Sequence, residues 1–188
     1  MNRTAVLYAL ASAALFGAST PAAKALLGAV HPVVLAGLLY CGSGIGIALL
    51  RRFAPAIPGA ANAPEQTLGR RDLPWLAGAI AAGGIAGPLL LMVGLARTDA
   101  ATASLLLTLE GAATALMAWF IFHENFDRRI AIGMLCLVAG AAVLAWSGAP
   151  RLHDAVGPLA IVGACAAWGL DNNLTRKVAL SEIGRAHV

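Results

Sequence analysis

Six apolar blocks follow one another along this chain, each about as long as a helix needs to cross a bilayer. They run Ala5–Leu27, Pro32–Leu50, Leu73–Ala96, Ala100–Phe122, Ile130–Ser147 and Gly157–Leu174. A helix covers a hydrocarbon core of about 30 Å in roughly 20 residues. Of the 188 residues, 60% are hydrophobic and 12% charged, against roughly 45–50% apolar and 25% charged in soluble domains. One small core cannot hide that excess, because a domain of this size still exposes much of its surface. The expected class is therefore an all-α integral membrane protein with about six transmembrane helices. Only Met1, Asn2, Arg3 and Thr4 precede the first block, which is too long for a signal peptide and reads as an uncleaved span.

The formal charge of +4 does not point to nucleic acid, since the basic residues sit between apolar blocks and no aromatics interleave with them. They read as topology. With the N-terminus inside, the inner segments carry Arg3, Arg51, Arg52, Arg70, Arg71, Arg128, Arg129, Arg176 and Lys177, and the outer ones Lys24, Arg97 and Arg151. Nine against three is a positive-inside bias, which places the N-terminus in the cytoplasm and the chain in the cell membrane. The Arg51–Asp72 stretch, with Pro55, Pro58 and Pro64, reads as a flexible cytoplasmic linker. The other links are short, so neighbouring spans should be antiparallel.

Cys41, Cys136 and Cys165 all fall inside apolar blocks without a Cys or His at ligand spacing, so neither a disulfide framework nor a metal site is expected, and no cofactor is implied. His31, His123 and His153 are scattered at span ends. Gly42 with Gly46, and Gly83 with Gly87, have the small-xxx-small spacing that lets helix backbones approach closely in lipid. Pro88 should kink the third span.

An echo joins the two ends of the chain. At an offset of 152 residues, Phe16-Gly17 falls on Trp168-Gly169 and Lys24 on Arg176. Five spans separate the copies, and an odd number inserts the second copy upside down, as in the inverted repeats of secondary transporters.

Glu110, near the middle of the fourth block, is the most informative residue. A charged side chain at a helix centre costs about 2.5–3.5 kcal/mol on insertion scales, and each Leu, Ile or Phe returns about 0.3–0.6. The span's five leucines, Ile121 and two phenylalanines offset the charge without explaining it. Two readings stand open: Glu110 faces a cavity, where it binds an amine or carries a proton, or it is a hydrogen-bonded acid tying two helices together. Lys24 could complement it or an anionic substrate, or could snorkel to the interface. Asp171 and Asn172, with Asn173, form a polar patch that either lines a cavity or marks a span end. Trp168 and Trp119 are candidates for a substrate path, while Trp75 and Trp146 suit the interface. Asp99 with Thr98 and Thr102 reads as a helix N-cap. Glu124, Asp127, Arg128 and Arg129 read as a solvated turn. There is no HExxH, GxSxG or paired-aspartate motif, so an enzyme is not expected.

The stretch GLARTDAATASLLLTLEGAATALMAWFIFHENFDRRIAIGMLCLVAGAAVLAW (Gly94–Trp146), together with LFG…K in the first span and AWGLDNNLTRK in the sixth, resembles the EamA-type transporters of the drug/metabolite transporter superfamily. The resemblance runs from Ala5 to about Leu180. It implies ten helices in two inverted five-helix repeats and alternating-access movement of small metabolites, with export of amino-acid-like or drug-like solutes the leading expectation. A non-transporting structural or regulatory membrane protein is the alternative. Many members have proline after the fourth-span acid, where this chain has Gly111. On this reading residues 1–150 are the first repeat and 151–181 the start of a second, so the chain is expected to be a fragment whose partners are lipid, a small-molecule substrate and the missing second half. Self-assembly would be another way to close the cavity, and the one-sided arginines argue against its antiparallel form. Residues 182–188 (EIGRAHV) back-translate to the start of a sequencing-library adapter and are expected to be non-native.

Overall fold

A computed structural model describes residues 3–53, 68–125, 127–145 and 155–186, and these are helical apart from short turns. The elements are α1 (Arg3–Leu26), α2 (Pro32–Phe53), α3 (Leu73–Ala79), a π-helical segment (Ile80–Ala86), α4 (Gly87–Arg97), α5 (Ala100–Leu107), α6 (Leu109–Phe120), α7 (Arg128–Ala145) and α8 (Val156–Ala186). The third span is thus α3, the π segment and α4 in series, and the fourth is α5 and α6. Among the described residues four stretches are long and apolar enough to cross a membrane: Val6–Leu26, Pro32–Leu50, Leu73–Arg97 and Ala100–Phe120. Most of the expected Arg51–Asp72 linker, Trp146, Arg151 and His153 lie outside the described residues.

α8 occupies the centre. It packs along α4 and α6 and touches α3, the π segment and α5, while α1 and α2 lean on α4 and α5, and α7 lies against α5 and α6. Leu95, Ala103, Ile161 and Cys165 form the fully buried core where α4, α5 and α8 meet. Much of α1, α2 and α7 is exposed apolar surface, including Leu10, Leu15, Phe16, Ile47, Leu50, Ile132 and Leu135. Lipid is the solvent that suits such a surface.

Close packing around α8 depends on glycine. A Cβ on Gly83 would strike the Asp171 carboxylate, one on Gly87 would lie 2.7 Å from Trp168 Nε1, and one on Gly169 would lie 2.9 Å from the Thr114 nitrogen. Gly42 and Gly46 differ: nothing among the described residues comes within 4 Å of a Cβ there. The same spacing is used in the third span and left open in the second.

Both spans of the central layer are broken, for different reasons. In the third, Gly87 N–H donates to Ala82 O, one residue further back than in an α-helix, and Pro88 has no N–H to give. The wide turn lies immediately ahead of the proline. In the fourth, Thr108 turns back on Leu105 O with both its N–H (3.1 Å) and its hydroxyl (2.6 Å), a local competition that interrupts helices. The Cys165 thiol approaches the neighbouring Leu106 carbonyl at 3.4 Å.

Candidate functional site

The Thr108 break makes Glu110 a first-turn residue of α6, where the helix dipole favours a carboxylate. Its side chain is half-buried and faces α8 rather than lipid. Asn172 Nδ2 donates to Glu110 Oε1 at 3.3 Å and to Thr114 Oγ1 at 3.2 Å. The Thr114 hydroxyl in turn donates to the Glu110 carbonyl at 2.9 Å. Behind them the buried Asn173 amide bridges two helices, donating to Thr114 O at 2.9 Å and Gly169 O at 2.8 Å. Residues four apart on α6 (Glu110, Thr114) thus share one partner on α8, Asn172, with Asn173 tied to Thr114 behind it.

This cluster lines an open cavity of about 1190 Å³, roomier than most small-molecule pockets, which run to roughly 300–1,000 Å³. Ala115, Ala118 and Trp119 form one wall, and Asn125, Asp127, Arg128, Arg129 and Ile130 surround the mouth. Arg176 is paired with Glu124 across that mouth. The turn presenting Glu124 contains His123 at φ 54°, a left-handed conformation a non-glycine residue seldom adopts, and Glu124 N–H reaches back to Ala118 O at 2.9 Å. The cavity therefore has a carboxylate on α6, amides on α8, and cations from α8 (Arg176) and the start of α7 (Arg128, Arg129). Such a lining can hold a small polar solute with a positive group near Glu110.

The other expected site residues are elsewhere. Asp171 and Trp168 lie on the side of α8 that meets the third span, so the polar patch divides between two neighbours. Trp168 Nε1 donates to Gly83 O at 3.1 Å, and the Tyr40 hydroxyl donates to the same oxygen at 3.1 Å. Asp171 Oδ1 accepts from Thr175 at 3.1 Å. Lys24 does not meet Glu110: its ammonium donates to Leu95 O at 2.5 Å at the end of α4, where helix carbonyls lack intrahelical donors. Arg52, Arg70, Arg71, Arg128 and Arg129 are exposed, and Arg51 lies on α2. Lys177 stacks 4.1 Å above the Trp75 ring, a cation–π contact. Asp99 caps α5, its Oδ1 accepting from Thr102 N at 2.9 Å. Among the described residues no group of three or more His, Cys, Asp or Glu could hold a metal ion.

Thr114 and Tyr40 were not singled out in the sequence. The signal for Thr114 was available, since it stands one turn from Glu110 on the same face. Tyr40 had none, because its acceptor exists only through the π turn.

Lipid-length helices around a polar, carboxylate-bearing cavity define a multi-pass helical membrane protein. The EamA-like transporter family matches residues 3–146. The chain belongs to that family. A curated relative, named an uncharacterized transporter of Methanothermobacter thermautotrophicus, is 28% identical over 171 residues, covering 86% of this chain and 50% of the relative. The chain thus spans about half the length of that relative. No solved structure matches it.

Proposed function

We propose that this chain forms part of a carrier for small metabolites in the cell membrane, with its N-terminus in the cytoplasm, working by alternating access. The observation that carries the reading is Glu110. A carboxylate partway along a lipid-length span, turned onto a large cavity and flanked by Thr114 and Asn172, is where a membrane protein would meet an amine or a proton. Arginines at the mouth and a carboxylate deeper in suit a solute bearing both an amine and an acid. Amino-acid-like export is the transport direction and class we favour. The clustering of Arg70, Arg71, Arg128 and Arg129 in the links before the third and fifth spans supports that orientation.

The contact from Asn172 to Glu110 also fits a second reading, in which Glu110 only ties α6 to α8 in a protein that transports nothing. Glu110→Gln separates the two, because the amide keeps an acceptor for Asn172 and loses the charge. In cells expressing the complete reading frame, we expect this variant to insert normally and to lose efflux of amine-bearing solutes. Unchanged efflux with unchanged stability would leave the tie as Glu110's whole role.

A further inference from the structure

A second, smaller cavity lies on the other side of α8. It has about 190 Å³ and is lined by Ser19, Thr20, Tyr40, Pro88 and Trp168 of α8, together with apolar residues of α1, α2 and α4. One turn of α8 separates the Trp168 of this pocket from the Asn172 of the large cavity. On the third-span side, that turn is tied at one atom. Gly83 O receives Trp168 Nε1 from α8 and the Tyr40 hydroxyl from α2, each at 3.1 Å, and Asp171 lies against Gly83 where a Cβ would not fit.

In an unbroken α-helix that carbonyl would be taken by Gly87 N–H. Here Gly87 donates to Ala82 O instead, and the π turn leaves Gly83 O to the two side chains. π turns of this kind recur at functional sites. An alternative donor is therefore built in. If the segment Ile80–Ala86 returns to α pitch, Gly87 N–H moves onto Gly83 O and both side chains are released. The orphan carbonyl then passes from buried Gly83 to half-buried Gly84, whose α-helical donor position is the proline nitrogen of Pro88.

We propose that Gly83 O is a latch between the two cavities. Held by Tyr40 and Trp168, it keeps pocket and cavity apart; exchanged for Gly87 N–H, it lets the third span move relative to α8 and joins them into one path. Tyr40 and Trp168 are positioning residues in this scheme, acting through the carbonyl rather than on a solute. The inference rests on the transport reading only for its purpose, since the exchange itself needs no substrate.

The test uses the complete protein in sealed vesicles of either orientation. Cys41, Cys136 and Cys165 are replaced by alanine, and Thr20→Cys puts a reporter thiol in the small pocket, where Thr20 is buried. A charged, membrane-impermeant thiol reagent is added from each side in turn. In the parent the reporter should react from one side at most. Tyr40→Phe with Trp168→Phe removes both donors and should open reaction from the opposite side by roughly tenfold or more, as expected for losing two hydrogen bonds. Unchanged rates from both sides in a folded double variant overturn the latch. If Trp168→Phe fails to insert, Tyr40→Phe alone decides, since it removes a single hydroxyl: a smaller gain in the same direction supports the latch, and parental rates overturn it. A looser fold would raise reactivity from both sides and lower the Tm together, whereas the latch changes sidedness. Loss of transport through Glu110→Gln does not bear on this readout, so the two proposals fail separately.

Discussion

The two glycine pairs give the sharpest contrast in the molecule. Gly83 and Gly87 sit under Asp171 and Trp168, whereas Gly42 and Gly46 face nothing within 4 Å among the described residues. Around α8, contact is tight and tied by amides, hydroxyls and an indole; along α1, α2 and α7 it is loose and apolar. Because lipid tails are as apolar as leucine, burial gives little reason for two helices to associate. Small residues permit approach, and it is the polar group or ring opposite that uses it. The motif alone does not say which faces meet.

The largest expected effect tests that contrast directly. Gly83→Ala or Gly87→Ala forces Asp171 or Trp168 away and should destabilise by about 1–3 kcal/mol, the usual range for overpacking. Gly42→Ala and Gly46→Ala should leave thermal unfolding in detergent within about 0.5 kcal/mol of the parent, or raise it slightly because alanine is the better helix former. Equal losses at all four positions would break the comparison.

The next effect sharpens it within α8. Asn173 is buried and bridges two carbonyls, whereas Asn172 is exposed to the cavity. Asn173→Leu removes the buried amide bridge and presses a larger side chain against α6, and should cost about 1–3 kcal/mol. Asn172→Leu loses only cavity-facing contacts and should cost nearer 0.6 kcal/mol, the average for polar ties between membrane helices. Melting curves of the pair, read beside transport, should rank Asn173 first for stability and Asn172 first for activity.

Helix positions were largely legible because the apolar blocks are long and cleanly bounded. The first five match helix ends within a few residues, whereas the sixth, Gly157–Leu174, stops well short of the end of α8 at Ala186. Glu110 was legible because a carboxylate in such a block needs a reason. The central place of α8 was not. Its polar patch at Asp171–Asn173 lowers its hydropathy and looks like a span end, yet these residues are what hold it between the third and fourth spans. The two breaks were half legible: Pro88 announced a bend and gave no sign of the freed Gly83 carbonyl, and Thr108 resembled any other threonine in a helix. Lys24 misleads for a similar reason, since its partners are backbone oxygens at the end of α4, which have no sequence signature.

Lys24 offers a smaller test. The loosely packed side of the molecule has few polar ties, and the Lys24 contact with Leu95 O joins α1 to α4. Lys24→Met keeps much of the stem's packing and removes the donor. It should lower overall stability by about 1 kcal/mol and raise hydrogen exchange in α1 well before α8 responds. Equal loosening of α1 and α8 would mean that the two regions unfold as one.

The most local effect lies outside the spans, at Asp99. Hydrogen bonds from the Thr102 side chain and backbone N–H hold its carboxyl below the ordinary aspartate value. A carboxyl whose pKa is lowered in the folded state stabilises it fully above the unfolded value, and the contribution fades as pH falls through the folded one. The start of α5 should therefore fray in acid and be intact at neutral pH. Asp99→Asn keeps an N-cap acceptor and removes the titration, so its stability should run parallel to the parent at neutral pH and lack the acid loss. Asp99→Ala should cost about 1 kcal/mol at neutral pH, as cap removals typically do, and show the same flat acid limb. Since α5 packs on α8 and on α1, exchange protection on its two faces will show which region follows the cap. Fraying that reaches α1 while Cys165 and Leu107 stay protected would keep the division between a tied centre and a lipid-facing rim.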